Sequence, residues 1–192
     1  MTGGRRKDGP ILDLGRIVAA AWTLVDQSGV AALSTRALAA ALDVKSPALY
    51  WHVRNKQALL SLMLEHVLRD SIGTPPPGLD WPDWLRFVGR QQRRALMAHR
   101  DSAIIASSTP PTERLQKEVF PRIMAPMLAA GLPERQASGA AGALAGLILG
   151  WVVYEQRPET REFVRAFHDP EEAFEYALDA LVRGVEAKAR ES

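Results

Sequence analysis

The sequence predicts an all-α fold: an N-terminal helix-turn-helix head of three helices, a C-terminal helical bundle as the body, and a homodimeric assembly. Three observations lead there. Every strongly patterned segment repeats its apolar residues at three- and four-residue steps, and no alternating strand is found. Two short helical segments, separated by about three residues, lie between positions 34 and 53. Beyond a Gly/Pro break at 73–78, an uncharged run from Gln136 to Tyr154 precedes an amphipathic closing segment.

Taken in order, residues 1–11 read as a polar, basic N-terminal tail without the apolar stretch of a signal peptide. The segment Gly3 to Pro10 fits a tail better than a minor-groove arm. Leu14, Ile17, Val18, Ala21 and Val25 form one helical stripe that stops at Gly29. Ser34 caps a short helix that turns Leu38 and Leu42 inward. A break at Asp43-Val44-Lys45 needs a residue tolerant of positive φ, a place that Asp43 can fill. Ser46-Pro47, a cap followed by proline at the first position, opens a brief helix ending near Val53. Asn55 caps a longer helix with Leu60, Met63, Leu64, Val67 and Leu68 on one face.

After the break come a helix from Pro82 to Arg100, an interruption at Pro110-Pro111, and a helix to Ala130 bent by Pro121 and Pro126. A long helix then runs from Pro133 to Arg157. The last helix begins at Asp169-Pro170 and carries Phe174, Ala177, Leu178, Leu181, Val182 and Val185 on one stripe. The organisation is therefore a tail (1–11), a helix-turn-helix head (12–54), a connecting helix (55–72) and a helical body (73–192).

Composition narrows the function. The chain has 192 residues, 47% of them hydrophobic and 24% charged, and no cysteine. That excludes disulfides, thiolate metal sites and a cysteine nucleophile, and fits a cytoplasmic protein. Residues 1–60 hold eight Lys/Arg against four Asp, while the remaining sixteen basic and eighteen acidic residues leave the body slightly acidic. A basic head suits a polyanion. An enzyme is not expected. His52, His66, His99 and His168 form no i, i+4 pair, and neither a Gly-x-Ser-x-Gly elbow nor a phosphate loop is present. No metal site and no cofactor are expected.

In the head, Leu38, Leu42, Leu49 and Val53 fix the angle between the two short helices. The outward face then presents Ser46, Pro47, Ala48, Tyr50, Trp51 and His52. The first three lie at the end that approaches base edges, where small apolar groups meet thymine methyls. Tyr50, Trp51, His52 and Lys56 suit phosphates, and Arg36 suits a guanine edge or a phosphate. Three consecutive large residues cannot all face one core, so this aromatic run calls for a partner.

In the body, the charge-free run from Gln136 to Tyr154 is long enough to span a membrane, which takes about 20 residues. Its first half is Gln, Ser, Ala and Gly, and no basic flank frames it, so no membrane is expected and a buried helix of a soluble oligomer is. Gly142, Gly146 and Gly150 recur at four-residue spacing and let two helices approach closely. With Leu178 and Leu181 of the last helix, they are the expected dimer interface, an intersubunit four-helix bundle.

The stretches Leu33-Ser-Thr-Arg-Ala-Leu-Ala39 and Ser46-Pro-Ala-Leu-Tyr-Trp-His-Val-Arg-Asn-Lys-Gln-Ala-Leu-Leu60 resemble the DNA-binding domain of the tetracycline repressor family, nearest the subclass that gives the family its name. The likeness is dense over 12–70 and thinner through Trp84, Arg93 to Leu96, Arg100-Asp101, Leu149-Gly150 and Leu181 to Gly184. It implies a homodimeric repressor whose body binds a small molecule and then releases a palindromic operator of double-stranded DNA. It also implies DNA contacts at Thr35, Arg36, Ser46, Pro47, Ala48, Tyr50, Trp51, His52 and Lys56. Ser46 and Ala48 depart from the glutamine and threonine of that subclass, so a different operator is expected.

By the same resemblance, the polar positions that hold drug and magnesium in that subclass fall on Ile72, Val88, Gln92 and Ala106, and its metal-supporting glutamate falls near Tyr154 or Glu155. The effector is accordingly expected to be a more apolar molecule, held by Trp84, Val88, Gln92, Val119, Ile123, Trp151 or Tyr154. Each of these also reads as ordinary core. A DNA-binding protein without an effector and a helical protein that does not bind DNA remain open as alternatives.

Overall fold

The computed structural model describes residues 12–191, so the expected tail at 1–11 lies outside the described residues. Ten α-helices occur among them, and no strand. The head holds α1 (Leu14–Ser28), α2 (Thr35–Ala41) and α3 (Ser46–Tyr50). The connecting helix α4 (Lys56–Ser71) leads to α5 (Trp81–Met97), α6 (Ser102–Ser108), α7 (Phe120–Ala129), α8 (Glu134–Gln156), α9 (Pro158–Phe167) and α10 (Pro170–Arg190).

Helix starts follow local chemistry. Asp13, Ser34, Asn55, Asp80 and Asp169 each cap a helix by accepting a backbone N–H with the side chain. At α3 the cap is Lys45, and Ser46 is already helical with Pro47 in the first turn. Serine-proline thus marks the start one residue late. Gly29 closes α1 at φ 79° and returns its N–H to Val25 O, a conformation open to glycine without strain.

Two helices carry no strong sequence signal. α6 is seven residues long and lies between the expected helix end at Arg100 and the interruption at Pro110-Pro111. α9 buries no residue, and its Phe163 and Phe167 pack on one another in the open. Before α7 the chain makes a π-helical turn, Leu115–Val119. Pro121 has no N–H to give to the carbonyl four residues back, and the widened turn takes up that loss.

The body core lies between α5, α8 and α10. Gly89 lets α5 approach closely, since a Cβ there would stand 2.8 Å from Leu178 Cδ1 and 3.1 Å from Leu144 Cδ1. Leu178, expected at the dimer interface, is therefore a core residue of its own subunit and fully buried there, as are Phe174 and Val182. Leu181 is half-buried. α8 is the described helix long and apolar enough to cross a membrane, yet α5, α6, α7, α9 and α10 all pack on it.

A row of arginines on α5 joins the acidic face of α10. Arg86 bonds Asp179 at 2.8 Å, and Arg90 holds Glu175 at 2.7 Å. The hydrogen bond from Arg90 holds the Glu175 carboxyl below its ordinary pKa, and that from Arg86 does the same for Asp179. Arg93 grips Glu155 of α8 with two bonds, at 2.9 and 3.0 Å, bonds Glu171 of α10, and lies over the Phe174 ring at 4.5 Å.

Head and body are cross-braced. Asp26 of α1 accepts from Arg100 N at 2.9 Å and meets His99 Nδ1 at 3.0 Å, while Asp101 accepts from Val30 N at 2.8 Å. The two carboxylates tie the end of α1 to the turn between α5 and α6.

Candidate functional site

Two surfaces have chemistry that packing does not use. The first is the head. Leu38, Leu49 and Val53 are buried and fix α2 against α3. Asp43 takes φ 54° in the turn, and Val44 N bonds Ala39 O at 3.0 Å, so the chain reverses without glycine. α3 thereby stands off the surface. Pro47 and His52 are exposed, Tyr50 is 53% exposed and Trp51 90% exposed. Ser46, Ala48 and Thr35 are half-buried, and Arg36 is exposed.

Lys56, at the start of α4, is exposed and donates one hydrogen bond to Val30 O at 3.0 Å. An ammonium has three donors, so two stay available to a phosphate. The residues singled out in the head thus share one end of the molecule, on α2, α3 and the start of α4. An indole left in water beside cations and hydroxyls is suited to nucleic-acid backbone.

The second surface is a cavity of about 510 Å³ in the body. Leu64 and Leu68 of α4, Gln92 and Leu96 of α5, Ala106 of α6, and Thr109 and Pro111 beyond it form one side. Leu115, Gln116, Phe120, Ile123 and Met124 of the π turn and α7 form another, and Ser138, Gly142, Ala145 and Leu149 of α8 close it. The lining is apolar with a few neutral polar groups, as small-molecule sites are.

Of the positions expected to hold an effector, Gln92 and Ile123 line this cavity. Trp84 faces another hollow, under Pro75 to Leu79, and its indole N–H is spent on Ile123 O at 2.9 Å. Val88 and Val119 are buried away from the cavity, Trp151 donates to Pro170 O at 3.2 Å, and Tyr154 is largely in solvent. Of the four aligned polar positions, Ala106 lines the cavity beside Gln92, while Ile72 and Val88 do not. Glu155 is held by Arg93, and no cluster of three metal-binding side chains occurs among the described residues.

Thr109 and Gln116 carry no periodic signal because they stand at a helix end and in the π turn, where helical spacing breaks. Pro110-Pro111 and Pro121 around them are the available clue.

α4 joins the two surfaces. Gln57, Ser61 and Glu65, one turn apart each, bond the segment after α6: Gln57 Nε2 to Ser108 O at 3.2 Å, Ser61 Oγ to Pro110 O at 3.1 Å, and Thr112 Oγ1 to Glu65 at 2.8 Å. On α8, Gly146 and Gly150 are exposed, and a Cβ added at either would meet nothing within 4 Å. Gly142 is likewise open and borders the cavity. On α10, Tyr176 is 79% exposed.

Comparison with known proteins agrees with this geometry. Residues 17–63 match the family described as "Bacterial regulatory proteins, tetR family", and residues 74–167 match "Tetracyclin repressor-like, C-terminal domain". The chain is 33% identical to tetracycline repressor protein class G of Vibrio anguillarum, over 91% of this chain and 94% of that protein. Among solved structures, a variant TetR of Acinetobacter baumannii AYE in complex with minocycline superposes with TM-score 0.80 and 32% identity, over 93% of this chain and 99% of that one. BioQ with its natural double-stranded DNA operator, a protein also solved from Mycobacterium smegmatis, gives TM-score 0.71 and 32% identity, over 91% and 98%. An exposed helix-turn-helix face, a body cavity and full-length likeness converge: the chain belongs to the TetR family of bacterial regulatory proteins.

Proposed function

We propose that this chain is a homodimeric, sequence-specific transcriptional regulator, a repressor, that leaves a palindromic operator when a small, mostly apolar molecule enters the body cavity. Residues 12–54 act as the DNA-binding head, 55–72 as the connecting helix and 73–192 as the body. Acting on DNA, it works in the cytoplasm, and no catalytic role is proposed.

The observation that carries this reading is α4: it starts in the head, and its Leu64 and Leu68 line the cavity. A molecule that shifts the 108–112 segment acts on α4 through Gln57, Ser61 and Glu65. Binding that favours one placement of α4 changes the separation of two heads, which must match a groove repeat of about 34–36 Å. Ser46, Pro47 and Ala48 read base edges. Thr35, Arg36, Tyr50, Trp51, His52 and Lys56 hold the backbone and register.

Trp51→Ala tests it. The side chain is almost wholly in solvent, so folding should not change. Operator affinity should fall by roughly tenfold, or ~1.4 kcal/mol, read by fluorescence anisotropy. Unchanged affinity for DNA in Trp51→Ala and Lys56→Ala alike would contradict the assignment of this face.

A further inference from the structure

Two polar side chains in the cavity wall have nothing to bind. Thr109 and Gln92 are each 7% exposed, and both line the cavity. The Thr109 hydroxyl has no hydrogen-bond partner. The Gln92 amide makes no side-chain hydrogen bond among the described residues. A buried hydroxyl without a partner destabilises a fold, and valine at 109 would fill the same space without that loss. Both residues belong to one cavity wall, the Thr109 hydroxyl buried and unanswered and the Gln92 amide still accessible, and packing accounts for neither.

The rest of the wall limits what they can meet. Gln116 gives one of its two N–H donors to Pro111 O at 3.1 Å. No Asp, Glu, Lys, Arg or His is among the lining residues. An ion entering here would lose its hydration and gain no countercharge. A magnesium chelate does not fit this wall either, because no carboxylate or imidazole faces it and Glu155 is already paired with Arg93.

We propose that the cavity takes an uncharged, largely apolar molecule carrying at least two hydrogen-bonding groups, ring ketones or hydroxyls, one met by Thr109 and the other by Gln92. These two side chains are then the specificity-determining residues of the site. This deepens the effector-responsive reading and rests on it. The Thr109 hydroxyl both donates and accepts, and the Gln92 amide offers one oxygen and two N–H donors, so the pair recognises a ketone and a hydroxyl in either order. Thr109 stands between Ser108 and Pro110, whose carbonyls are bonded to α4. A molecule bonded to Thr109 therefore pulls on the segment that α4 holds.

The test uses the full chain and two probe sets in titration calorimetry. One set is neutral: testosterone, 1-hydroxyanthraquinone and 3-hydroxyflavone. The other is charged or metal-bearing: cholate, anthraquinone-2-carboxylate and the magnesium–tetracycline chelate. At least one neutral probe should bind at ~100 µM or tighter, and the second set should bind at least tenfold more weakly. Thr109→Val and Gln92→Leu should each weaken the neutral probe at least tenfold, while the melting temperature of the free protein stays level or rises.

Stronger binding of the charged set, no neutral binding at that concentration, or a variant that melts lower with unchanged affinity would each overturn the proposal. Anisotropy on operator DNA in the same samples separates the two readings. Neutral binding that is lost in Thr109→Val but leaves the DNA complex intact supports the cavity assignment and removes the effector-responsive reading alone.

Discussion

Replacing Arg93 by leucine is expected to lower stability by about 3–5 kcal/mol, the usual loss when one partner of a buried ion pair is removed. Arg93 and Glu155 have side chains each only 11% exposed, and the guanidinium also bonds Glu171 and covers Phe174. Burial works against the charge on Arg93, and the bonds from Glu155 and Glu171 outweigh it, leaving its pKa raised. Leucine keeps the apolar contact and leaves Glu155 without its cation. Urea unfolding of Arg93→Leu and of Arg93→Leu/Glu155→Leu should show the double variant recovering much of the loss. A single variant within ~0.5 kcal/mol of the parent would mean that this pair is screened by solvent.

The same row of ion pairs sets the response to acid. Glu175 and Asp179 have folded-state pKa values lowered by Arg90 and Arg86. Their contribution is complete above the ordinary carboxylate range and is lost as pH falls through the lowered values. Unfolding curves should thus be level from neutral pH to about 5 and weaken below about 4.

Gly146→Glu is expected to have the larger effect on function. Gly146 is an exposed helical glycine, and a Cβ there meets nothing within 4 Å, so the protomer gains helix propensity of up to ~1 kcal/mol. In the proposed dimer the same Cβ and carboxylate fall between two closely approaching helices. A single head buries too little surface to bind specifically, so operator affinity should fall by ~10³. Sedimentation should show monomer where the parent is dimer, with helical content kept in circular dichroism. A dimeric Gly146→Glu that still binds operator would remove this face as the subunit contact.

Much of the fold was legible because helix starts are local chemistry. Ser34, Asn55 and Asp169 cap through one side-chain oxygen, and a bracketing apolar stripe is enough to locate them. Asp43 was legible for the same reason: a tight turn demands positive φ, and few residues tolerate it. α6 and α9 were not, since seven residues make too few turns for a period and α9 has no buried stripe to display.

Leu178 shows the limit of a helical stripe. Periodicity says that a residue faces something apolar, but the small Gly89 on α5, far away in the chain, turns that face inward to its own subunit. The cavity was partly legible through Gln92 and Ile123. Thr109 stayed hidden because an unpartnered hydroxyl leaves no trace in a sequence; only the packed wall around it reveals that nothing answers it.

The central claim is that the head reads sequence. Fluorescence anisotropy on DNA flanking the chain's own gene, against random duplex at two salt concentrations, tests it most directly. The account predicts that native DNA wins by ~10³ or more and that an unlabelled palindrome competes. Equal, weak and fully salt-dependent binding of both DNAs would contradict it.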